Sequence, residues 1–210
     1  MKSHFLFKSL QQHIQTLGLE VSEDTISRMI EFLLLLKKWN NAFNLTAITD
    51  LQEMMIKHLL DSLSIFSYLK GPRLIDVGTG AGLPGIPLAL VMPHCEFTLV
   101  ESRGKKVSFL QQAKSELKIS NIKIEQKRVE QFHDAQGFDI ILCRAVGTIP
   151  EVYLSTLHLA HQRTQWVFMK GLEPKEELSS FSQPVKVYPL CVPGLQEARH
   201  VVVIQGSING

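Results

Sequence analysis

Residues 74–85, Leu-Ile-Asp-Val-Gly-Thr-Gly-Ala-Gly-Leu-Pro-Gly, constrain the fold of this chain more than any other stretch. An apolar run carrying Asp76 leads into Gly78, Gly80 and Gly82. Pro84 then opens a helix, where a missing N–H is harmless because it has no partner in the first turn. A strand, a tight glycine turn and a helix start in succession bring backbone N–H groups within reach of a bound nucleotide. The pattern predicts an α/β fold with a ligand at the carboxyl end of its first strand.

Glu101 ends the next apolar run, Phe97-Thr-Leu-Val100, and follows Gly80 by 21 residues. A carboxylate at that distance can accept hydrogen bonds from ribose hydroxyls. Gly80-Ala-Gly-Leu-Pro-Gly85 also spells G-x-G-x-x-G, so a dinucleotide is the competing ligand. Two features favour S-adenosylmethionine. Asp76, just ahead of the glycines, suits a ligand with an amino-acid moiety and would repel a pyrophosphate. A dehydrogenase usually begins at this loop and adds a substrate domain. Here about 70 residues precede the loop and 125 follow Gly85, enough to complete one sheet.

The chain of 210 residues is 45% hydrophobic, ample for a core. No apolar run approaches the ~20 residues that span a bilayer. The N-terminus, Met-Lys-Ser-His-Phe-Leu-Phe-Lys, lacks the apolar stretch and cleavage site of a secretory leader. Cys95, Cys143 and Cys191 are far apart, without metal-ligand spacing, and the histidines are scattered, so no metal site is expected. These features predict a cytoplasmic protein without membrane contact, and a monomer is expected. Net charge is only +2, but its distribution is uneven. Arg103, Lys105, Lys106, Lys114, Lys118, Lys123, Lys127 and Arg128 face only Glu116 and Glu125 within residues 103–128. Such a run reads either as a solvated helix face, which suits Lys114 and Lys118, or as a surface for an anionic partner such as RNA.

Residues 1–70 read as a helical extension and residues 71–210 as a Rossmann-like domain. Leu6, Leu10, Ile14 and Leu17 recur at helical spacing up to Gly18. Ser22 can cap a second helix, ended by Asn40-Asn41. Asp50 with Glu53 resembles a capping box for a third, running to about Tyr68. After Lys70-Gly-Pro-Arg73, strands are predicted near 73–77, 96–100, 122–127, 138–143, 165–170, 184–190 and 200–205. Helices are predicted near 84–92, 103–117, 150–161 and 173–180. The connection between the last two strands is too short for a helical crossover, so that pair should be antiparallel. A mostly parallel seven-stranded sheet with one antiparallel end strand follows.

Ligands in such sheets bind beyond the carboxyl ends of the strands. There stand the glycine loop, then Glu101 and Arg103, then Arg128, Arg144, and Lys170. At the start of the antiparallel strand stand Arg199 and His200. Any one of these cations alone reads as an ordinary surface charge; their shared place points to a site. Methyl transfer needs alignment of donor and acceptor and exclusion of water. No Asn/Asp-Pro-Pro-aromatic loop for an adenine amine follows the fourth strand, where Cys143-Arg-Ala-Val-Gly147 stands. Cys143 lacks the context of a pyrimidine nucleophile and reads as a buried structural thiol. Guanine N7 has a free lone pair and needs no general base, and N7 and O6 suit arginine and lysine donors. A basic site without an acid–base pair fits that acceptor, and no catalytic acid or base is expected. His58 and Asp61, one turn apart, read as a hydrogen bond on a helix surface or as an orienting pair over the cofactor. A nicotinamide-dependent oxidoreductase remains an alternative. So does a module that binds S-adenosylmethionine and transfers nothing, although the basic rim speaks against it.

Trp39-Asn-Asn-Ala-Phe-Asn-Leu-Thr46, His58-Leu-Leu-Asp-Ser62, Ile75-Asp-Val-Gly-Thr-Gly-Ala-Gly-Leu-Pro-Gly-Ile-Pro87, Arg128-Val-Glu130, Arg144-Ala145, Lys170-Gly171 and Arg199-His200 together resemble the bacterial 16S ribosomal RNA guanine-N7 methyltransferase family, RsmG or GidB. The resemblance runs through nearly the whole chain, in order. It implies a class I methyltransferase fold with an N-terminal helical part. It implies methyl transfer from S-adenosylmethionine to N7 of a guanine in the decoding-region loop of 16S RNA, as naked RNA or within the small subunit. It also implies cofactor contacts at Gly78, Leu83, Val129, Glu130 and Arg144, beside Asp76, Gly80 and Glu101. Arg103, Lys105, Lys106, Arg128, Lys170, Arg199 and His200 are then left to bind RNA.

Overall fold

A computed structural model describes residues 2–206 of the chain. Seven strands form one sheet: β1 (Arg73–Val77), β2 (Glu96–Val100), β3 (Ile122–Glu125), β4 (Phe138–Arg144), β5 (Ala160–Lys170), β6 (Val185–Leu190) and β7 (Arg199–Gln205). Their order is β3-β2-β1-β4-β5-β7-β6. β1 to β5 pair in parallel, and β7 runs antiparallel to both β5 and β6. The last strand is thus antiparallel as expected, but it lies inside the sheet, and β6 takes the edge. This order brings Arg199 and His200, at the start of β7, beside Lys170 at the end of β5.

The helices follow from local signals. α1 (Lys2–Thr16) buries Leu6, Leu10 and Ile14. The Ser22 hydroxyl accepts from the Thr25 amide and caps α2 (Glu23–Phe43). That helix passes the Asn40-Asn41 pair predicted to end it and stops at Asn44, which adopts the left-handed conformation with φ 50°. Asp50 caps α3 (Leu51–Met54) through the Gln52 and Glu53 amides. Glu53 pairs with Lys57. The chain then makes a π-helical turn over Met55–Leu60 before α4 (Asp61–Leu63). α5 (Gly85–Val91), α6 (Gly104–Glu116), α7 (Ile149–Thr156) and α8 (Lys175–Leu178) join the strands.

Alternation along the strands divides the apolar residues between the two sheet faces. Leu74, Leu142, Val167 and Val203 pack with α1, α2, α5, α6 and the π turn. Ile75, Ile141, Phe168 and Val202 pack with Ile149, Val152 and Tyr153 of α7. The N-terminal helices therefore share a core with the sheet, and this holds the π turn and α4 against the strand ends. Among the described residues no helix is long and apolar enough to cross a membrane.

Candidate active site

The sheet reverses its winding between β1 and β4, so the loops after these strands open a crevice. Gly78 and Gly80, both at φ +63°, turn the chain out of β1. A Cβ on Gly78 would lie 2.5 Å from Val146 Cγ2, in the loop after β4, whereas one on Gly80 would meet nothing closer than Lys106 Nζ at 3.5 Å. Gly85 has another task. Its Cβ would fall 2.3 Å from Leu99 Cδ2, so a bare residue there lets α5 settle on the sheet.

Asp76 is fully buried, and Oδ2 accepts from the Thr79 hydroxyl at 2.6 Å and the Gly85 amide at 2.8 Å. This corrects the expectation that it faces the ligand's amino-acid moiety: its hydrogen bonds brace the loop from beneath. Burial pushes its pKa up to about 7, against the pull of those two donors. Glu101 is where the sequence placed it. It accepts from the Gly80 amide at 3.1 Å and the Arg103 amide at 2.9 Å, and Lys106 Nζ lies 3.6 Å away. Its carboxylate therefore borders the glycine turn, as a ribose-binding group must. Leu83 is half-buried in the same loop, and Val129 and Glu130 form a 3-10 turn directly beyond β3. These residues fit a nucleoside, with open main chain at Gly80 and an acceptor at Glu101.

The second half of the site is a cavity of about 340 Å³ lined by Asp61, Arg144, Lys170, Arg199 and His200, with Gly171 and other residues. Of the cations predicted at the strand ends, Arg144, Lys170, Arg199 and His200 meet here. Asp61 Oδ2 lies 3.1 Å from Arg144 Nη2, and Oδ1 accepts from Arg199 Nε at 3.1 Å. Arg144 Nη2 also donates to the Lys57 carbonyl at 2.8 Å, and its Nη1 is buried with no partner among the described residues. Lys170 donates to both oxygens of Glu177, which also accepts from the Ile149 amide at the start of α7. His200 Nδ1 bonds the Gly171 carbonyl at 2.9 Å.

The pair His58 and Asp61 departs from the surface bond that the sequence suggested. Both are buried, at 5% and 2% exposure, and Asp61 spends its oxygens on the two arginines. His58 Nε2 instead lies 2.9 Å from the Thr46 hydroxyl. That hydroxyl accepts from the Ile48 amide, so its proton is available for Nε2. Burial, aided by the Arg144 charge, lowers the His58 pKa to about 4 and keeps the ring neutral. Burial raises the Asp61 pKa, while Arg144 and Arg199 oppose the shift.

Arg103, Lys105, Lys106 and Arg128 do not line this cavity. They stand beyond β2 and β3, mostly exposed, with Lys105 Nζ 6.0 Å from the centre of the Phe43 ring. The expected single rim of cations is thus two groups: one enclosed and ion-paired, one open. Cys143 is buried, and burial pushes its thiol up to about 12, which fits a structural role. No cluster suited to a metal exists among the described residues.

This site can be set beside known proteins. The GidB family, described as rRNA small subunit methyltransferase G, matches residues 25–202. The chain belongs to that family. A ribosomal RNA small subunit methyltransferase G from Coxiella burnetii is 47% identical over 200 residues, which cover 95% of this chain and 98% of that protein. One from Legionella pneumophila is 46% identical over 179 residues, 85% of this chain and 86% of that protein. In fold, the chain is similar to magnesium protoporphyrin IX methyltransferase from Synechocystis, solved with bound S-adenosylmethionine. The TM-score is 0.55 at 14% identity, covering 83% of this chain and 97% of that one. The family membership removes the oxidoreductase alternative.

Proposed function

We propose that this chain transfers the methyl group of S-adenosylmethionine to N7 of one guanine in the decoding-region loop of 16S ribosomal RNA, acting as a monomer in the cytoplasm. The observation that carries the reading is the cation-lined cavity beside the glycine turn, in a chain of the small-subunit methyltransferase family. Residues 1–70 act as an extension that completes the site of the domain formed by 71–210.

S-adenosylmethionine supplies a methyl group activated on a sulfonium centre. Gly78, Gly80, Leu83, Glu101, Val129, Glu130 and Arg144 hold it, and Asp76 keeps the loop in shape. Lys170, Arg199 and His200 receive the guanine. Donors directed at O6 anchor the base and leave the N7 lone pair free to attack. The N7–carbon bond forms as the carbon–sulfur bond breaks, and no proton has to leave N7. That is why a site without an acid–base pair suffices. The open cations Arg103, Lys105, Lys106 and Arg128 hold the flanking phosphates.

Small ribosomal subunits from cells lacking this protein, given labelled S-adenosylmethionine and the purified chain, test the reading. A single labelled guanine carrying the methyl on N7 is expected. Label on another base, or none, overturns the proposal.

A further inference from the structure

We infer that Asp61 is a positioning residue of methyl transfer: its two carboxylate oxygens lock Arg144, at the end of β4, and Arg199, at the start of β7, into one rigid pair facing the acceptor cavity. The inference rests on the functional reading above and adds to it a residue from the N-terminal helices.

The geometry is that of a built device. Asp61 reaches the strand ends from the start of α4, directly after the π turn. Each oxygen serves a different arginine, both at 3.1 Å. A π turn displaces the residues that follow it relative to a regular helix, and such turns recur at functional sites. Here the turn supplies two further ties. The Lys57 carbonyl accepts from Arg144, and Lys57 Nζ lies 3.0 Å from Glu197, which is itself 3.5 Å from Arg199 Nη2. His58, on the same turn, bonds Thr46, whose amide donates to Asn40 Oδ1. The two N-terminal motifs thus meet at the turn that leads into Asp61.

The pair of arginines needs the carboxylate for more than shape. During transfer, positive charge leaves sulfur and appears on the guanine imidazole ring. Two unneutralised guanidiniums in the cavity would oppose a base that is becoming cationic. Asp61 offsets one of the two positive charges, Glu197 stands 3.5 Å from Arg199, and Arg144 Nη1 is left without a partner among the described residues, available as a donor. The same neutralisation keeps Arg199 from being captured by any passing phosphate.

Asp61→Asn, Arg199→Ala and the double variant, assayed on small subunits at saturating S-adenosylmethionine, test this. Asp61→Asn is expected to lower kcat by about 30-fold or more while KM for the subunit stays within about threefold. Arg199→Ala should fall comparably, and the double variant should be no worse than the poorer single. Multiplying effects, or a kcat within about twofold of wild type for Asp61→Asn, overturn the inference. If Asp61→Asn does not fold, Asp61→Glu enters the same cycle, its longer arm displacing both guanidiniums. A wild-type chain that methylates nothing signals failure of the functional reading instead. The clamp is then decided by nuclear magnetic resonance of the arginine Nε–H groups. A protected Arg199 signal lost in the Asp61 variant supports it, and an unchanged signal overturns it.

Discussion

At the scale of single residues, the glycine loop separates jobs that the sequence presents together. Gly78 carries the tightest constraint, with a left-handed φ and Val146 against the place of its missing Cβ. Gly78→Ala must push the loop after β4 aside, so the thermal stabilisation given by S-adenosylhomocysteine should vanish. Gly80→Ala has the same φ but open space, and it should weaken binding by only about tenfold, the effect of backbone strain alone. Equal affinities for the two variants would contradict this division. Asp76 makes a pH prediction. Its pKa in the folded chain, about 7, lies above the ordinary 3.8. A raised pKa stabilises the fold below the ordinary value, and that contribution fades as pH rises through the folded one. The stability of the ligand-free wild type relative to Asp76→Asn should therefore decline between pH 4 and pH 8. A rising or flat difference in urea unfolding would show that the Thr79 and Gly85 donors hold the carboxyl ionised throughout.

Elements differ in how far the sequence reveals them. β1 and β2 begin and end where predicted, because apolar runs bounded by Pro72 or His94-Cys95 and by glycine or charge leave little choice. β5 starts five residues earlier than expected, at Ala160, through polar residues that the apolar pattern does not mark. The order β5-β7-β6 was also hidden, since a short connection dictates antiparallel pairing but not which strand takes the edge. Glu101 was legible from its spacing as a carboxylate beside the glycine turn, whereas the bonds of Asp76 to its own loop were not. Asp61 was misplaced for a physical reason. A helical wheel assumes a regular turn, whereas the chain is π-helical over Met55–Leu60, and partners at positions 144 and 199 lie too far along the chain to be inferred. The turn also holds a titrating group. The His58 pKa, about 4, lies below its usual 6.5, so its contribution is present above 6.5 and is lost as pH falls toward 4. Wild type should lose on the order of 1–3 kcal/mol between pH 7 and pH 4.5 that His58→Gln retains, measured by chemical unfolding.

Across the whole molecule, the cations answer salt differently because their surroundings differ. Lys170 is paired with Glu177, Arg144 with Asp61, and Arg199 with Asp61 and Glu197. These charges are already offset within the protein, so meeting a phosphate or a base releases few counterions. Among the described residues no carboxylate lies within ion-pair distance of Arg103, Lys105 or Arg128, and all three are exposed. Each phosphate neutralised by such a group returns a condensed cation to solution, worth about 0.7 to 0.9 in the slope of log affinity against log salt. Replacing Arg103, Lys105 and Arg128 together by alanine should therefore flatten that slope for RNA binding by about 2, while S-adenosylhomocysteine affinity is retained. Arg199→Ala should barely alter the slope and act instead on methylation of bound RNA. The measurement is RNA affinity over a salt series for wild type and both variants. A triple variant with the wild-type slope would place the phosphates elsewhere. A flattened slope for Arg199→Ala would mean that RNA draws this arginine away from Asp61 on binding.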